Sequence, residues 1–325
     1  MKILFTASLD TSFIREDLVI LRKHFDVDHL VTRGFIAPFR MLARVLAADV
    51  TFTWFASTYA FFVVFFAKLM RKRSIIVVGG VDASKEPEIQ YGIWLSPWRA
   101  LLVGWAMRHA HRLLVVDPFF RGEIIRLARY DGGNIECVPT GYDAGFWQPG
   151  GPKEPFVLTV AACHDELRMK KKGVDLILEA ARRLPAQKFL IIGIAPHLVE
   201  MVRSRAPLNV DIIPFTERSR LLEYYRRAKV YCQPSYTEGL PNSLCEAMLC
   251  GCIPVGTEVG GIPTAVDGIG FLVPYGDVDR LVNGIRKGLE APQSVGMAAR
   301  ERIRREFTIE RRESALVRVL KAEQV

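Results

Sequence analysis

The chain lacks the spacings that mark several common chemistries. Its six cysteines are Cys137, Cys163, Cys232, Cys245, Cys250 and Cys252, and none sits in a C-x-x-C or in a zinc-ligand pattern. They are expected to be small buried apolar residues in a reducing cytoplasm. The opening MKILFTASLD has too short an apolar part for a secretory leader and no cleavage pattern after it, so it is expected to be a first strand. Neither half carries G-x-G-x-x-G after its first strand, which removes the main support for a dinucleotide-binding oxidoreductase. There is no short-period repeat and no low-complexity tract. With 50% hydrophobic and 24% charged residues, the composition excludes a disordered, collagenous or coiled-coil chain.

What the 325 residues do have is enough length for two domains and a basic surplus of +9. Residues 1–150 carry +4 of it, so the excess is no tail on a neutral body. Within 33–112 there are eleven basic against four acidic residues, including Lys68, Arg71, Lys72 and Arg73. Such a surplus attracts phosphates, anionic lipid or nucleic acid, and it also serves simply to solubilise a surface. No nucleic-acid module is recognisable, so a nucleic-acid partner is not expected.

Residues 50–67, VTFTWFASTYAFFVVFFA, carry no charge and end on that basic cluster, near the length of a membrane span. Thr51 and Thr53 alternate with apolar neighbours, however, and Ser57 and Thr58 read as a helix N-cap. The segment is therefore read as strand 50–54, helix 58–70 and strand 75–78, with the helix still greasy enough to press on a bilayer.

Elsewhere in the first half, strands are expected at 2–6, 113–116 and 135–138, and helices near 12–24, 38–47, 91–110 and 118–130. At 139–155, PTGYDAGFWQPGGPKEP holds four prolines and four glycines and is the best linker candidate. A second series follows, with strands at 156–160, 189–192, 210–213, 229–232, 253–255 and 270–273. Its helices are expected at 173–184, 217–228, 242–250 and 277–290, with further surface helices in the last thirty residues. Strands alternating with helices make each half an α/β unit with a doubly wound parallel sheet.

The most informative stretch is 235–254, SYTEGLPNSLCEAMLCGCIP. Glu238 and Glu246 lie eight positions apart around a Gly-Leu-Pro-Asn-Ser turn. That turn should open a helix with Asn242 or Ser243 near its N-cap, leaving Glu238 on the preceding loop and Glu246 one turn in. The N–H groups of such a helix start suit a diphosphate, and ligands of open α/β sheets bind at the carboxyl ends of strands. One carboxylate can then accept from a ribose diol and the other orient sugar hydroxyls.

These residues resemble the family 4 retaining glycosyltransferases of the GT-B fold, whose E-x7-E signature matches Glu238-Gly239 … Glu246-Ala247-Met248. The segment 138–149, the pair Lys172-Gly173 before a helix, and Val259-Gly260-Gly261-Ile262-Pro263 fit further motifs of that family. The first half matches only in layout. The resemblance implies an α/β architecture of two doubly wound parallel-sheet domains facing a central cleft, 1–147 for the acceptor and 148–308 for a nucleotide-sugar donor. A last helix at about 309–325 is expected to pack back on the first domain.

By the same resemblance Glu238 would contact the transferred sugar, Glu246 the ribose, and Lys172 the diphosphate, with Gly239, Leu240, Asn242 and Ser243 lining the donor. The family's Gly-Arg after the first strand is replaced by Ala161-Ala162-Cys163, which leaves Arg168 as the nearest substitute. Where many relatives carry a histidine near the sugar, this chain has Val78-Gly79-Gly80-Val81-Asp82, so Asp82, the Gly80 backbone and Asp10 are the candidate sugar or acceptor contacts. Asp82 and Asp10 equally suit an Asx turn and a helix cap.

The expected activity is retaining transfer from a UDP- or GDP-hexose to a lipid-linked or glycan acceptor. No cofactor is expected, and no metal, since no suitably placed D-x-D loop is present. The expected location is cytoplasmic, with a peripheral position at the inner membrane surface as the second option. A non-catalytic nucleotide-sugar-binding or membrane-surface protein is the alternative, supported by the altered 161–163 segment.

Overall fold

Short runs of β-branched and aliphatic residues, buried on both faces, build two parallel sheets in the computed structural model, which describes residues 1–31 and 37–322. The chain divides into one unit of Met1–Gly141 plus the segment from Ile309, and a second of Tyr142–Thr308.

The first unit runs β1 (Lys2–Ala7), α1 (Ser12–His24), β2 (Asp26–Val31), α2 (Ala37–Ala47), β3 (Val50–Trp54), α3 (Thr58–Leu69), β4 (Arg73–Val78), α4 (Pro97–His109), β5 (Arg112–Val115), α5 (Phe119–Ala128) and β6 (Ile135–Cys137). Its sheet order is β2-β1-β3-β4-β5-β6. The uncharged run 50–67 is thus a strand and a helix, with Phe55 between them in the left-handed region (φ 65°). Ser57 caps α3 by accepting from the Ala60 N–H. Thr51 and Thr53 are both buried, and the Thr6 hydroxyl donates to Thr53 at 2.8 Å. The helix expected over 91–110 starts only at Pro97. Proline suits a first helical turn and keeps Ser96 extended, and the residues before it form short 3₁₀ turns. Strand β2 was not expected, because only one of its six residues is buried and its hydropathy contrast is weak.

The second unit runs β7 (Glu154–Cys163), α6 (Glu166–Lys172), α7 (Val174–Arg183), β8 (Lys188–Ile194), α8 (Pro196–Arg205), β9 (Val210–Pro214), α9 (Arg218–Arg227), β10 (Ala228–Gln233), α10 (Asn242–Leu249), β11 (Ile253–Thr257), α11 (Ile262–Val266), β12 (Phe271–Val273), α12 (Val278–Glu290) and α13 (Gln293–Glu306). Its order is β12-β11-β10-β7-β8-β9, so successive strands are added on one side of β7 and then, from β10, on the other, all running parallel. The core under this sheet joins Val157, Ile191, Val230 and Val255 to Ile177, Leu281 and Ile285 of α7 and α12. Helices α6, α8 and α11 were not expected.

The division falls at Gly141/Tyr142 rather than at 147/148. Trp147 is the reason: it is 1% exposed, edge-on to Tyr225 at 5.5 Å, with the Arg218 guanidinium over its ring. The proline- and glycine-rich segment is therefore largely packed onto the second unit. Helix α14 (Ile309–Lys321) packs in the first unit, where Lys23 and His24 of α1 pair with Glu313. The last three residues of the helix expected there lie outside the described residues. At its centre Arg312 and Asp17 form a bidentate pair at 2.6 and 3.0 Å, their side chains 1% and 4% exposed. The Trp54 indole also donates to Asp17, and Arg312 donates to the carbonyls of Val138 and Pro139.

Five of the six cysteines are buried as expected, while Cys137, at the end of the edge strand β6, is exposed. All six are free thiols.

Candidate active site at the strand reversal of the second unit

A parallel sheet opens a crevice where two neighbouring strands send their connections to opposite sides. In the second unit those strands are β7 and β10. β7 leads through 164–165 into α6 and so to Lys172, and β10 leads into the loop that carries Glu238. The Lys172 Nζ donates to Glu238 Oε1 at 2.5 Å, a pair formed across 66 positions of sequence. Gln233 and Ser235, at and just beyond the end of β10, donate to the same oxygen at 3.1 and 2.8 Å. The Glu238 side chain is 8% exposed and that of Lys172 20%. Burial by itself raises the Glu238 carboxyl, but the charges of Lys172 and Lys171 and the donated hydrogen bonds outweigh it and hold the group below its ordinary range.

Two glycines let the loops approach this closely. Gly173, at φ 68°, ends α6 and starts α7, and a Cβ there would lie 1.9 Å from the Pro234 carbonyl oxygen. Gly260, at φ 52°, would put a Cβ 1.9 Å from the Glu238 carbonyl oxygen. No side chain other than hydrogen fits either position. The Tyr236 N–H donates to the Lys171 carbonyl at 2.8 Å and closes the loop on the helix.

Helix α10 opens beside Glu238, but its N-cap is Pro241 and no side chain caps it. Asn242 and Ser243 are instead the first two helical residues, one position further in than the sequence suggests, because Pro241 takes the extended cap conformation. Their side chains turn elsewhere in the unit: Tyr142 donates to Asn242 Oδ1 at 2.9 Å, and Ser243 donates to Gln233 Oε1 at 3.2 Å. Pro241 thus offers the first-turn N–H groups no side-chain cap, and the helix start is positive. Glu246 is half-buried one turn along and accepts from the Tyr225 hydroxyl at 3.4 Å. Leu240 is buried and Gly239 half-buried between the two carboxylates.

Arg168 lies four positions before Lys172, on one face of α6. Its guanidinium donates to Asp165 at 2.6 Å, and Asp165 also caps the helix through the Arg168 N–H. That backbone hydrogen bond is the chief reason the Asp165 carboxyl is held below its ordinary value. Arg168 is exposed and does not touch the Lys172–Glu238 pair. Cys163, at the end of β7, has its thiol pushed up to about 12 by burial, which leaves it protonated at neutral pH.

The remaining sequence candidates belong to the first unit. Asp82 is fully buried: Oδ1 accepts from the N–H of Gly79 and Gly80 at 3.2 and 2.8 Å, and Oδ2 from that of Ala56 at 2.9 Å. Burial pushes its carboxyl up to about 6 against the pull of those amides. Its two oxygens hold the turn together, and Gly80 contributes the φ of 151° the turn requires. Asp10 is exposed and pairs with Arg15 through both oxygens. Among the described residues no group of three or more His, Cys, Asp or Glu could hold a metal ion.

Sequence reasoning missed Gln233, Ser235, Asp165, Tyr142 and Tyr225. Only the first two had a local signal, since both fall where a strand gives way to the signature loop.

Residues 155–291, which include every candidate of the second unit, match the family described as glycosyl transferases group 1. D-inositol 3-phosphate glycosyltransferase of Mycolicibacterium smegmatis is 27% identical over 227 residues, 63% of this chain and 51% of that protein. The protein of the same name from Mycobacteroides abscessus is 31% identical over 184 residues, 51% of this chain and 41% of that protein. The chain spans about half the length of the curated relatives it matches. Among solved structures, sucrose-phosphate synthase from Thermosynechococcus elongatus superposes with a TM-score of 0.79 at 15% identity, covering 99% of this chain and 98% of that one. Anabaena HepE in complex with UDP-glucose superposes with a TM-score of 0.80 at 14% identity, covering 99% and 100%. The fold is thus GT-B, with two six-stranded parallel sheets.

Proposed function

We propose that this protein is a glycosyltransferase that moves a hexose from a nucleoside diphosphate sugar to an acceptor hydroxyl, with retention of anomeric configuration and without a metal ion or cofactor. The observation that carries the reading is the Lys172–Glu238 pair beside the uncapped start of α10, at the strand reversal of the unit that matches the family. The names of the relatives and the UDP-glucose complex of HepE support it.

In this reading the donor diphosphate lies at the start of α10, with Lys172 donating to it. Glu246 accepts from the ribose diol and Glu238 from a sugar hydroxyl, while Gly239 and Leu240 line the donor. The bond between the anomeric carbon and the phosphate oxygen breaks and leaves its electron pair on the diphosphate. The acceptor oxygen bonds the same carbon on the same face, and its proton passes to the leaving phosphate. Negative charge on the diphosphate grows along this path, so Lys172 and the helix N–H groups favour the transition state over the ground state. Arg168 joins them by exchanging Asp165 for phosphate. The acceptor is lipid-linked or a glycan, bound by the first unit near the Gly80 turn, where Asp82 acts by shaping the turn. The protein works in the cytoplasm, peripherally at a membrane.

Purified protein with UDP- or GDP-hexose and a chelator is expected to release the nucleotide by transfer or slow hydrolysis. Lys172→Ala should lower kcat about 100- to 1000-fold. A donor that binds without turnover, unchanged by Lys172→Ala, would favour instead a nucleotide-sugar-binding protein. The Arg168–Asp165 pair and Ala161-Ala162 at the end of β7 are the observations on that side.

A further inference from the structure

Helix α3 has no polar face. Its twelve residues, TYAFFVVFFAKL, hold a single charge, and a helix apolar all round is ordinarily buried on every side. On the inner side it is: Val63 and Ala67 pack against Leu4, Met41 and Val45. On the outer side Phe65 is exposed, and Leu69 is 70% exposed. The neighbours continue this surface. On α2, Phe39 and Leu46 are exposed at 75% and 59%, and on α4, Trp98 and Leu101 at 56% and 69%. Phe61 and Phe65 join α3 to α4 through the Trp105 ring, at 5.3 and 6.0 Å. Single exposed apolar residues need no explanation, but a surface running across three adjacent helices does.

The charge on these helices has one sign. α2, α3 and α4 together carry five Lys or Arg and no Asp or Glu. Some are committed: Arg44 pairs with Asp28, and Arg108 donates to the Ala128 carbonyl. Lys72, in the turn after α3, donates to three carbonyls at the end of α2. Arg40, Lys68, Arg71 and Arg99 are exposed, and among the described residues none makes an ion pair. A second copy of the chain is a poor occupant, since an isologous contact would set this carboxylate-free face against itself. Nor does α3 span a bilayer: its twelve residues reach about 18 Å against a hydrocarbon core of about 30 Å. Among the described residues no helix is long and apolar enough to cross.

We propose that the outward face of α2, α3 and α4 docks on an anionic lipid bilayer. The aromatic and aliphatic side chains enter the boundary between headgroups and acyl chains, and Arg40, Lys68, Arg71 and Arg99 meet the lipid phosphates. This deepens the peripheral-membrane part of the proposed function, names the docking residues, and does not depend on the transfer chemistry.

Flotation of the full chain with vesicles of phosphatidylcholine, alone or mixed with phosphatidylglycerol, tests it. The protein is expected to float with the mixed vesicles only. Lys68→Ala should weaken partitioning about fivefold, and Leu69→Ser and Leu101→Ser about tenfold or more each. Because these side chains are exposed, the melting temperature should not change. Absence of flotation with either vesicle would overturn the proposal, as would flotation unaffected by the folded variants. A wild-type dimer dissociated by Leu69→Ser and Leu101→Ser would reassign the face to self-association. Donor-induced thermal stabilisation, measured on the same variants, should be unaltered, so its absence would count against the transfer reading alone.

Discussion

The two units share an architecture, six parallel strands with helices around them, yet they spend their polar side chains differently. The first unit has the order β2-β1-β3-β4-β5-β6, and two of its buried carboxylates, Asp17 and Asp82, are tied into the fold. Asp17 is held by Arg312 and Trp54, and Asp82 by three amides. The second has β12-β11-β10-β7-β8-β9, and at its strand reversal a buried carboxylate faces an ammonium with a partly exposed side chain beside an uncapped helix. A buried carboxylate satisfied by its neighbours, as Asp17 and Asp82 are, stiffens the fold around it. In the second unit donors converge on Glu238 and glycine brings the backbone close, which is the geometry the proposed donor site requires. The first unit also exposes more large apolar residues, Phe39, Leu46, Leu69, Trp98 and Leu101 among them, than the second, where Leu167, Leu208, Phe215 and Met297 are exposed; this is in keeping with the proposed division between docking and chemistry.

Several changes would sharpen or break this comparison. The largest effect is expected from Arg312→Met, which leaves Asp17 buried without its cation and should cost about 3–5 kcal/mol in chemical denaturation. Below its melting temperature the variant should still bind donor, and loss of binding in a folded sample would blur the distinction between units. Next comes pH. Because the folded Asp82 carboxyl titrates at about 6, above its unfolded value, the folded state binds more protons between the two. Stability from this group is therefore present at low pH and lost as pH rises from about 4 to about 6, by up to about 3 kcal/mol. Asp82→Asn should remove that slope, at a constant cost from the Ala56 amide that loses its acceptor.

Gly260→Ala is expected to cost about 1–3 kcal/mol through its left-handed backbone, and to abolish donor binding because the Glu238 carbonyl must move. Retained binding would show that the loop is not part of the site. The smallest effect is expected for Tyr142→Phe, about 1 kcal/mol from the lost hydrogen bond to Asn242, read as a small drop in melting temperature.

Much of the fold was legible in the chain. Val50–Trp54 and Thr58–Leu69 follow from the threonine alternation and the Ser57 cap, even inside a run that mimics a membrane span. Strand β2 was not legible, because a mostly unburied edge strand does not need apolar alternation. Helix α6 was hidden by its composition: ELRMKKK buries only Met169, so no periodicity announces it. In the site, Glu238, Lys172 and Glu246 stood out through local motifs. Their partners did not, since Gln233 and Ser235 acquire meaning only when a strand end brings them to Glu238. Arg168 stood out for its charge, and the Asp165 contact that engages it is visible only in three dimensions. Asp82 drew notice as a carboxylate after a strand, but sequence could not reveal that three amides surround it.

The most direct test of the account is thermal unfolding of the full chain with UDP-, GDP- and ADP-sugars in the presence of a chelator. A donor at about 100 times its dissociation constant adds about 2.7 kcal/mol to the folded state, a shift of several degrees. The account predicts that shift with one nucleotide class, and its loss in Lys172→Ala. A folded protein that no nucleotide sugar stabilises would contradict it.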